Sequence, residues 1–129
     1  MIIEIHQSDE RGNIFRTGEE LVVSFAGQAF VVPIGFESDG VSTPKFLWPV
    51  ISPKVDPKTL RAAIAHDYIY RVQPAGWTRE MADLMFLCLM LEDGVAPRKA
   101  FLAYRGVRLF GWIAWRENQE LAELNKLGD

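Results

Sequence analysis

His66, Asp67 and Tyr70 stand in one five-residue word, His66-Asp67-Tyr68-Ile69-Tyr70, and Asp83 follows seventeen positions after the histidine. An imidazole held by a carboxylate has a fixed tautomer and greater basicity, which is what a general base needs to activate water. His66 and Tyr70 are four apart and share a helix face, whereas Asp67 points to another side and is open to a separate role. Arg79 precedes Asp83 by four residues and is placed to support it. The residues ahead of the word, Ala62-Ala63-Ile64-Ala65, are small and apolar, so the helix is expected to be buried there. Polar groups buried in such a setting must bond to each other, to a loop or to a ligand. The cluster therefore reads two ways. One is a hydrolase-like site with His66 as base and Asp83 as its partner. The other is a satisfied core network that pins the structure together.

A second word is Gly35-Phe36-Glu37-Ser38-Asp39-Gly40-Val41-Ser42-Thr43-Pro44. Asp-Gly followed by Ser and Thr is a turn pattern in which side chains bond nearby amides. It is also a set of oxygen donors. Asp39, Asp67 and backbone carbonyls are candidate ligands for a hard cation such as calcium, which takes several oxygens at once. Gly35, Ser38, Asp39, Gly40, Ser42 and Thr43 are the candidate loop residues for a substrate. Ser42 as a nucleophile with His66 is a further option, although it lacks the glycine-flanked elbow of hydrolases. A transition-metal site has little to build on, since His6 is the one other histidine and stands near the start of the chain. Cys88 shares an apolar helix face with Leu84, Leu87 and Leu91 and is expected to be buried and inert.

The chain that must position these residues changes character near Pro57. Residues 21–25 and 29–32 read as a hairpin around Gly27, with weaker strands over 2–5 and 14–16. Residues 33–57 hold five prolines and two glycines, which exclude a helix or a central strand and predict a long ordered loop. Asp56-Pro57 opens a first helix that runs to about Arg71. Thr78 caps a second, over 79–92 with Gly94 as its stop, and Pro97 opens a third that runs toward Leu127. Gly106 and Gly111 weaken the third helix or let something pack closely. Two helices joined by a short loop pack antiparallel, which sets the middle of the first, at His66, against the first half of the second, at Asp83. The expected fold is one α+β domain over 1–129: a small N-terminal antiparallel sheet (1–33), the Pro/Gly loop (34–57) and three C-terminal helices (58–127).

Composition narrows the function. The chain has 129 residues, 49% of them hydrophobic and 24% charged, ordinary for a globular protein. One cysteine excludes an internal disulfide, so the fold stands on its core. A net charge of −3 and the lack of a recognised binding motif argue against a nucleic-acid partner. The charge is uneven: residues 1–56 hold four basic and eight acidic side chains, and residues 57–129 hold ten and nine. Between Val95 and Arg116 stand Arg98, Lys99, Arg105, Arg108 and Arg116 without one acid, mixed with aromatic residues. Arg98, Arg105 and Arg116 share a face. This 98–116 segment reads either as a surface for a membrane or an assembly partner, or as a core helix with an arginine edge that pairs with acids elsewhere. Residues 1–6 carry no secretory signal. The apolar stretch 100–115 is short for a span and contains Arg105 and Arg108, so no transmembrane segment is expected.

The two words, with Arg79–Asp83 and Arg108-Leu109-Phe110-Gly111, resemble the DUF1353 family of small phage and prophage proteins. That family's pattern is a Gly-Phe-x-Thr/Ser-Asp-Gly-x-Ser-x-Pro loop, a His-Asp-x-x-Tyr helix and an Ala-Asp-x-x-Phe helix, the last met here as Ala82-Asp83-Leu84-Met85-Phe86. The resemblance spans about 30–112 and implies a phage or prophage origin, with residence in the host cytoplasm during infection or in the virion. The family's function is unknown. The His-Asp-x-x-Tyr helix facing an aspartate is also similar to the core of secreted phospholipases A2. That likeness implies His66 as the base that activates water, Asp83 as its orienting partner, and Tyr70 bonded to that aspartate. It also implies Asp67 as a calcium ligand and the 35–42 loop as a source of carbonyls. A phospholipid or a cell-envelope ester or amide is then the expected substrate. The alternative is a non-enzymatic phage accessory or virion-associated protein, partnered by a phage structural protein, in which the His-Asp-Tyr cluster is a buried polar network.

Overall fold

A computed structural model of the protein describes residues 3–8, 12–38 and 56–127. They belong to two compact units, one within residues 1–40 and one within 41–129.

The first unit is all β among its described residues. Strands β1 (Ile3–Ser8), β2 (Gly12–Thr17) and β5 (Glu37–Ser38) form one antiparallel sheet in the order β1-β2-β5. Strands β3 (Leu21–Phe25) and β4 (Gln28–Val32) form a separate hairpin. The expected single sheet is thus two. β5 lies inside the stretch read as loop, because two residues between Gly35 and a proline-rich run carry no periodicity to detect. Alternation decides which hairpin face is covered. Leu21 pairs with Val32 and Val23 with Phe30 on the buried side, while Val22 pairs with Val31 on the exposed side. Thr17 fixes the chain after the hairpin. Its hydroxyl donates to the Pro33 carbonyl at 2.7 Å and accepts from the Phe36 amide at 3.0 Å, and its carbonyl accepts from Gly35 at 2.8 Å.

The second unit is helical. Asp56 caps a 3-10 turn, Pro57–Thr59, that leads into α1 (Leu60–Val72). Thr78 caps α2 (Arg79–Glu92), its hydroxyl accepting from the Met81 amide at 3.2 Å, and α3 runs over Pro97–Leu127. α1 and α2 are antiparallel, as their short connection requires. Arg61, in the first turn of α1, makes a two-pronged bond to Asp93 just past the end of α2, both distances 2.8 Å. α3 presents Ala100, Ala103, Gly106, Val107, Gly111 and Ala114 as its buried stripe, a row of small residues that allows close packing on the other two helices.

Cys88 departs from expectation. It is exposed, with Leu84 and Leu91 on the same stripe. The apolar residues of α2 run nearly all the way round it, and its buried side is that of Ala82, Asp83, Met85, Phe86, Leu89 and Met90, together with Leu87 from the expected Cys88 stripe. Hydrophobic type did not discriminate between the two sides. No helix of the described residues is long and apolar enough to cross a membrane.

The hairpin turn generates a prediction. Ala26 and Gly27 both have positive φ, +52° and +78°. A two-residue turn of that kind matches the strand twist but favours Asn-Gly, since a left-handed alanine costs about 1–2 kcal/mol. Ala26→Asn is expected to stabilise the protein by about 0.5–1 kcal/mol, read as a higher urea midpoint with an unchanged slope. An unchanged midpoint counts against the turn.

Candidate functional site

The second unit gathers its polar residues around one carboxylate. His66 and Tyr70 project from α1 toward α2, where Asp83 is fully buried. His66 Nε2 lies 2.7 Å from Asp83 Oδ1, and the Tyr70 hydroxyl donates to the same oxygen at 2.6 Å. The other oxygen, Oδ2, accepts from Arg79 Nη1 at 3.2 Å and from Arg108 Nη1 of α3 at 2.8 Å. Arg79 also donates to the carbonyls of Val107 and Arg108, at 3.0 and 3.3 Å, and so ties α2 to the middle of α3. All three helices therefore meet at Asp83.

The electrostatics follow from these bonds. Burial pushes the Asp83 carboxyl up, but the bonds from His66, Tyr70 and Arg108 outweigh it and hold the group below the ordinary aspartate range. Burial, with the adjacent negative charge of Asp83, pushes the Tyr70 phenol well above its usual value. The phenol is thus a fixed donor. An ionised carboxylate accepts only, so the hydrogen of this bond sits on His66 Nε2. The ring itself is packed between Tyr70 and Phe86, with centroids 4.3 and 4.6 Å away, and is 1% exposed.

Two further residues shape the site. Gly111 lies directly over Tyr70: a Cβ built at Gly111 would stand 2.5 Å from the Tyr70 hydroxyl oxygen. Gln73, at the left-handed end of α1, donates through its side chain to the carbonyls of Tyr70 and of Trp115 in α3, at 3.0 and 2.9 Å. Trp115 in turn meets the Tyr70 ring edge-on at 5.1 Å.

Of the candidate residues, His66, Asp83, Tyr70 and Arg79 come together. Asp67 is buried but faces away from the cluster and is paired with Arg71 at 3.3 Å. Gly35 and Ser38 belong to the first unit, Gly35 in the turn held by Thr17 and Ser38 in β5 opposite Phe15. Asp39, Gly40, Ser42 and Thr43 lie outside the described residues. Among the described residues no group of three or more His, Cys, Asp or Glu side chains could hold a metal ion. Sequence reasoning missed Arg108 as a partner of Asp83. Its signal was present, since Arg108 and Gly111 lie within a turn of one another and bracket one buried face of α3, but nothing in the sequence says which carboxylate such an arginine meets.

Two predictions follow from this geometry. Asp83→Asn leaves two part-buried guanidinium groups without a counter-charge and is expected to cost about 3 kcal/mol in chemical denaturation. The contribution of Asp83 is fully present above the ordinary aspartate pKa and is lost as pH falls through its lowered folded value, so the acid limb of a stability–pH curve should flatten in the variant. Gly111→Ala is expected to destabilise by overpacking, about 1–3 kcal/mol, partly offset by about 1 kcal/mol of better helix propensity. In a Tyr70→Phe background the same substitution should cost much less, because the hydroxyl it strikes is gone. Equal costs in both backgrounds would rule out the contact as the cause.

Comparison with curated proteins and with solved structures finds no match. One family model does match, over residues 15–107, described as a protein of unknown function, DUF1353. The matched stretch takes in β3 and β4, all of α1 and α2, and α3 as far as Val107, one residue short of Arg108. The chain belongs to the DUF1353 family.

Proposed function

We propose that the protein is a hydrolase that cleaves an ester or amide with water activated by His66. The observation that carries this reading is the bonding of a single carboxylate oxygen, Asp83 Oδ1, to both His66 Nε2 and the Tyr70 hydroxyl. That pairing fixes the tautomer and orientation of the imidazole, as a general base requires. In the proposed step the His66 imidazole takes a proton from water as the water oxygen bonds to the carbonyl carbon. The imidazolium then returns that proton to the leaving alcohol or amine as the carbon–heteroatom bond breaks. Asp83 stays ionised throughout, held by Arg79 and Arg108. A phospholipid or another cell-envelope ester or amide suits the phage or prophage setting, in the host cytoplasm or the virion, that the family resemblance implies.

Calcium is the cofactor such a site would take by likeness to phospholipases A2, with Asp67 and Asp39 as ligands. The described donors do not fit it on their own: Asp67 already faces the Arg71 guanidinium, and no group of three or more His, Cys, Asp or Glu side chains among the described residues could hold the ion. The proposed step therefore draws on His66 and Asp83 alone.

A second reading has its own observation. Asp83 is fully buried, His66 nearly so, and the carboxylate is bonded from three helices. On that reading the cluster is an architectural network in a phage accessory or virion-associated protein. His66→Gln separates the two, because glutamine can still donate to Asp83. The assay is fatty-acid release from phospholipid vesicles, with release of nitrophenol from nitrophenyl esters and of nitroaniline from nitroanilides, with and without calcium. The expected result is measurable turnover in the wild type and a loss of about 100-fold or more in a variant that keeps its helical spectrum. Calorimetric titration of calcium into the wild type and Asp67→Asn checks the metal ligand directly. No turnover of any of these substrates by the wild type, with or without calcium, would leave the network reading in possession.

A further inference from the structure

We infer that the outward face of α3 between Arg98 and Arg116 docks on an anionic lipid surface. The inference stands on α3 itself and does not depend on His66 being a base. One side of α3 is buried through its stripe of small residues. The opposite side carries Phe101, Leu102, Leu109, Trp112 and Ile113, all exposed, with Leu109 at 66% and Trp112 at 50%. Arg98, Arg105 and Arg116 lie on that same side, close to whole turns apart, and are exposed. Among the described residues neither Arg98 nor Arg105 pairs with a carboxylate, and Arg116 makes only an exposed 3.5 Å contact with Glu120. Among the described residues, therefore, core burial does not account for these apolar side chains, nor internal ion pairing for Arg98 and Arg105.

The chemistry of the face selects its occupant. Of the five cations from Val95 to Arg116, Arg108 is bonded to Asp83 and Lys99 to Asp56, which leaves Arg98, Arg105 and Arg116 to the face, with no acid in the stretch. A second copy of this chain, docked antiparallel about the middle of this stretch near Val107, would set Arg98 against Arg116 with no carboxylate of the stretch between them. A polynucleotide would answer the arginines but leave five large apolar side chains with no apolar surface to cover. An anionic bilayer surface answers both. Leucine, phenylalanine, isoleucine and tryptophan enter the boundary of the acyl chains, and arginines reach the phosphates above them. The acids Glu117, Glu120 and Glu123 begin directly after Arg116 and are exposed, so the contact ends there. The overall charge of −3 does not oppose this, because attraction to a charged surface falls off within about 10 Å and is governed by the local patch.

The test uses the full chain and sedimentation with vesicles, in one series pure phosphatidylcholine and in the other an equal mixture with phosphatidylglycerol. Binding to the mixed vesicles, weakened by added salt, is expected, with little binding to the neutral ones. Each arginine near an anionic surface contributes about fivefold, so Arg98→Gln with Arg105→Gln should lower the partition constant more than tenfold. Leu109→Gln with Trp112→Gln should abolish binding. All four positions are exposed, and an unchanged helical spectrum shows that each variant folds. Absent binding to the mixed vesicles, equal binding to both kinds, or binding that survives both double variants overturns the inference. So does a wild-type dimer in light scattering that the Leu109/Trp112 variant disperses, which would assign the face to a second copy.

Discussion

Taking the Asp83 carboxylate out of water costs several kcal/mol even after the protein relaxes around it. That cost is bearable only if donors fill its lone-pair positions, and four side chains do so from three helices. The rest of the helical unit is arranged around this requirement. α1 must bring His66 and Tyr70 to one face, which their spacing of four ensures. α2 must carry Arg79 one turn before Asp83. α3 must approach closely enough for Arg108 to reach the far oxygen. A carboxylate with this many partners is an exacting packing element, because a displacement that strips any one donor leaves a buried charge underpaired.

The demand for closeness explains why α3 tolerates two glycines in its middle. Glycine inside a helix costs about 1 kcal/mol against alanine, so two of them need a compensating gain. At Gly111 the gain is visible: the Tyr70 hydroxyl occupies the space a methyl group would take. The same closeness brings the carbonyls of Val107 and Arg108 within reach of Arg79. These carbonyls are already used within the helix, so the guanidinium adds a second bond at their remaining lone pairs. Gln73 does likewise with the Trp115 carbonyl. α3 is thus held along its backbone by side chains from the other two helices, in addition to its small-residue stripe.

Much of this was legible in the sequence, and the reason differs from element to element. The bounds of α2 and α3 were readable because local chemistry sets them: Thr78 caps one, Gly94 stops it, and Pro97 opens the other. The meeting of His66 with Asp83 was readable because a short connection leaves two helices one way to pack. Arg108 was not assigned to Asp83, since its contact crosses 25 residues and depends on how a third helix rotates. Cys88 was misplaced because an apolar stripe with helical spacing exists on both sides of α2, and periodicity cannot rank two such stripes. β5 escaped notice because a two-residue edge strand is fixed by the partner it meets, and its own residues do not announce it. The loop residues from Asp39 to Thr43 were legible as a motif, but a motif of turn-formers does not fix where its oxygens converge.

The two roles available to Asp83 pull on its charge in different ways. For a base mechanism it should support an imidazolium on Oδ1. For a network it should be neutralised by the arginines on Oδ2. One carboxylate serves both sets, so the negative charge it offers His66 is already shared with two guanidinium groups. What it supplies undivided is geometry: the 2.7 Å contact and the neighbouring Tyr70 hydroxyl fix which nitrogen of His66 carries hydrogen and where the ring lies. Orientation and tautomer are also what an aspartate contributes to a Ser-His-Asp triad without itself becoming protonated. The two arginines are therefore compatible with catalysis. They keep the fully buried aspartate ionised, and an aspartate that stayed neutral there could accept no hydrogen bond of comparable strength from the histidine.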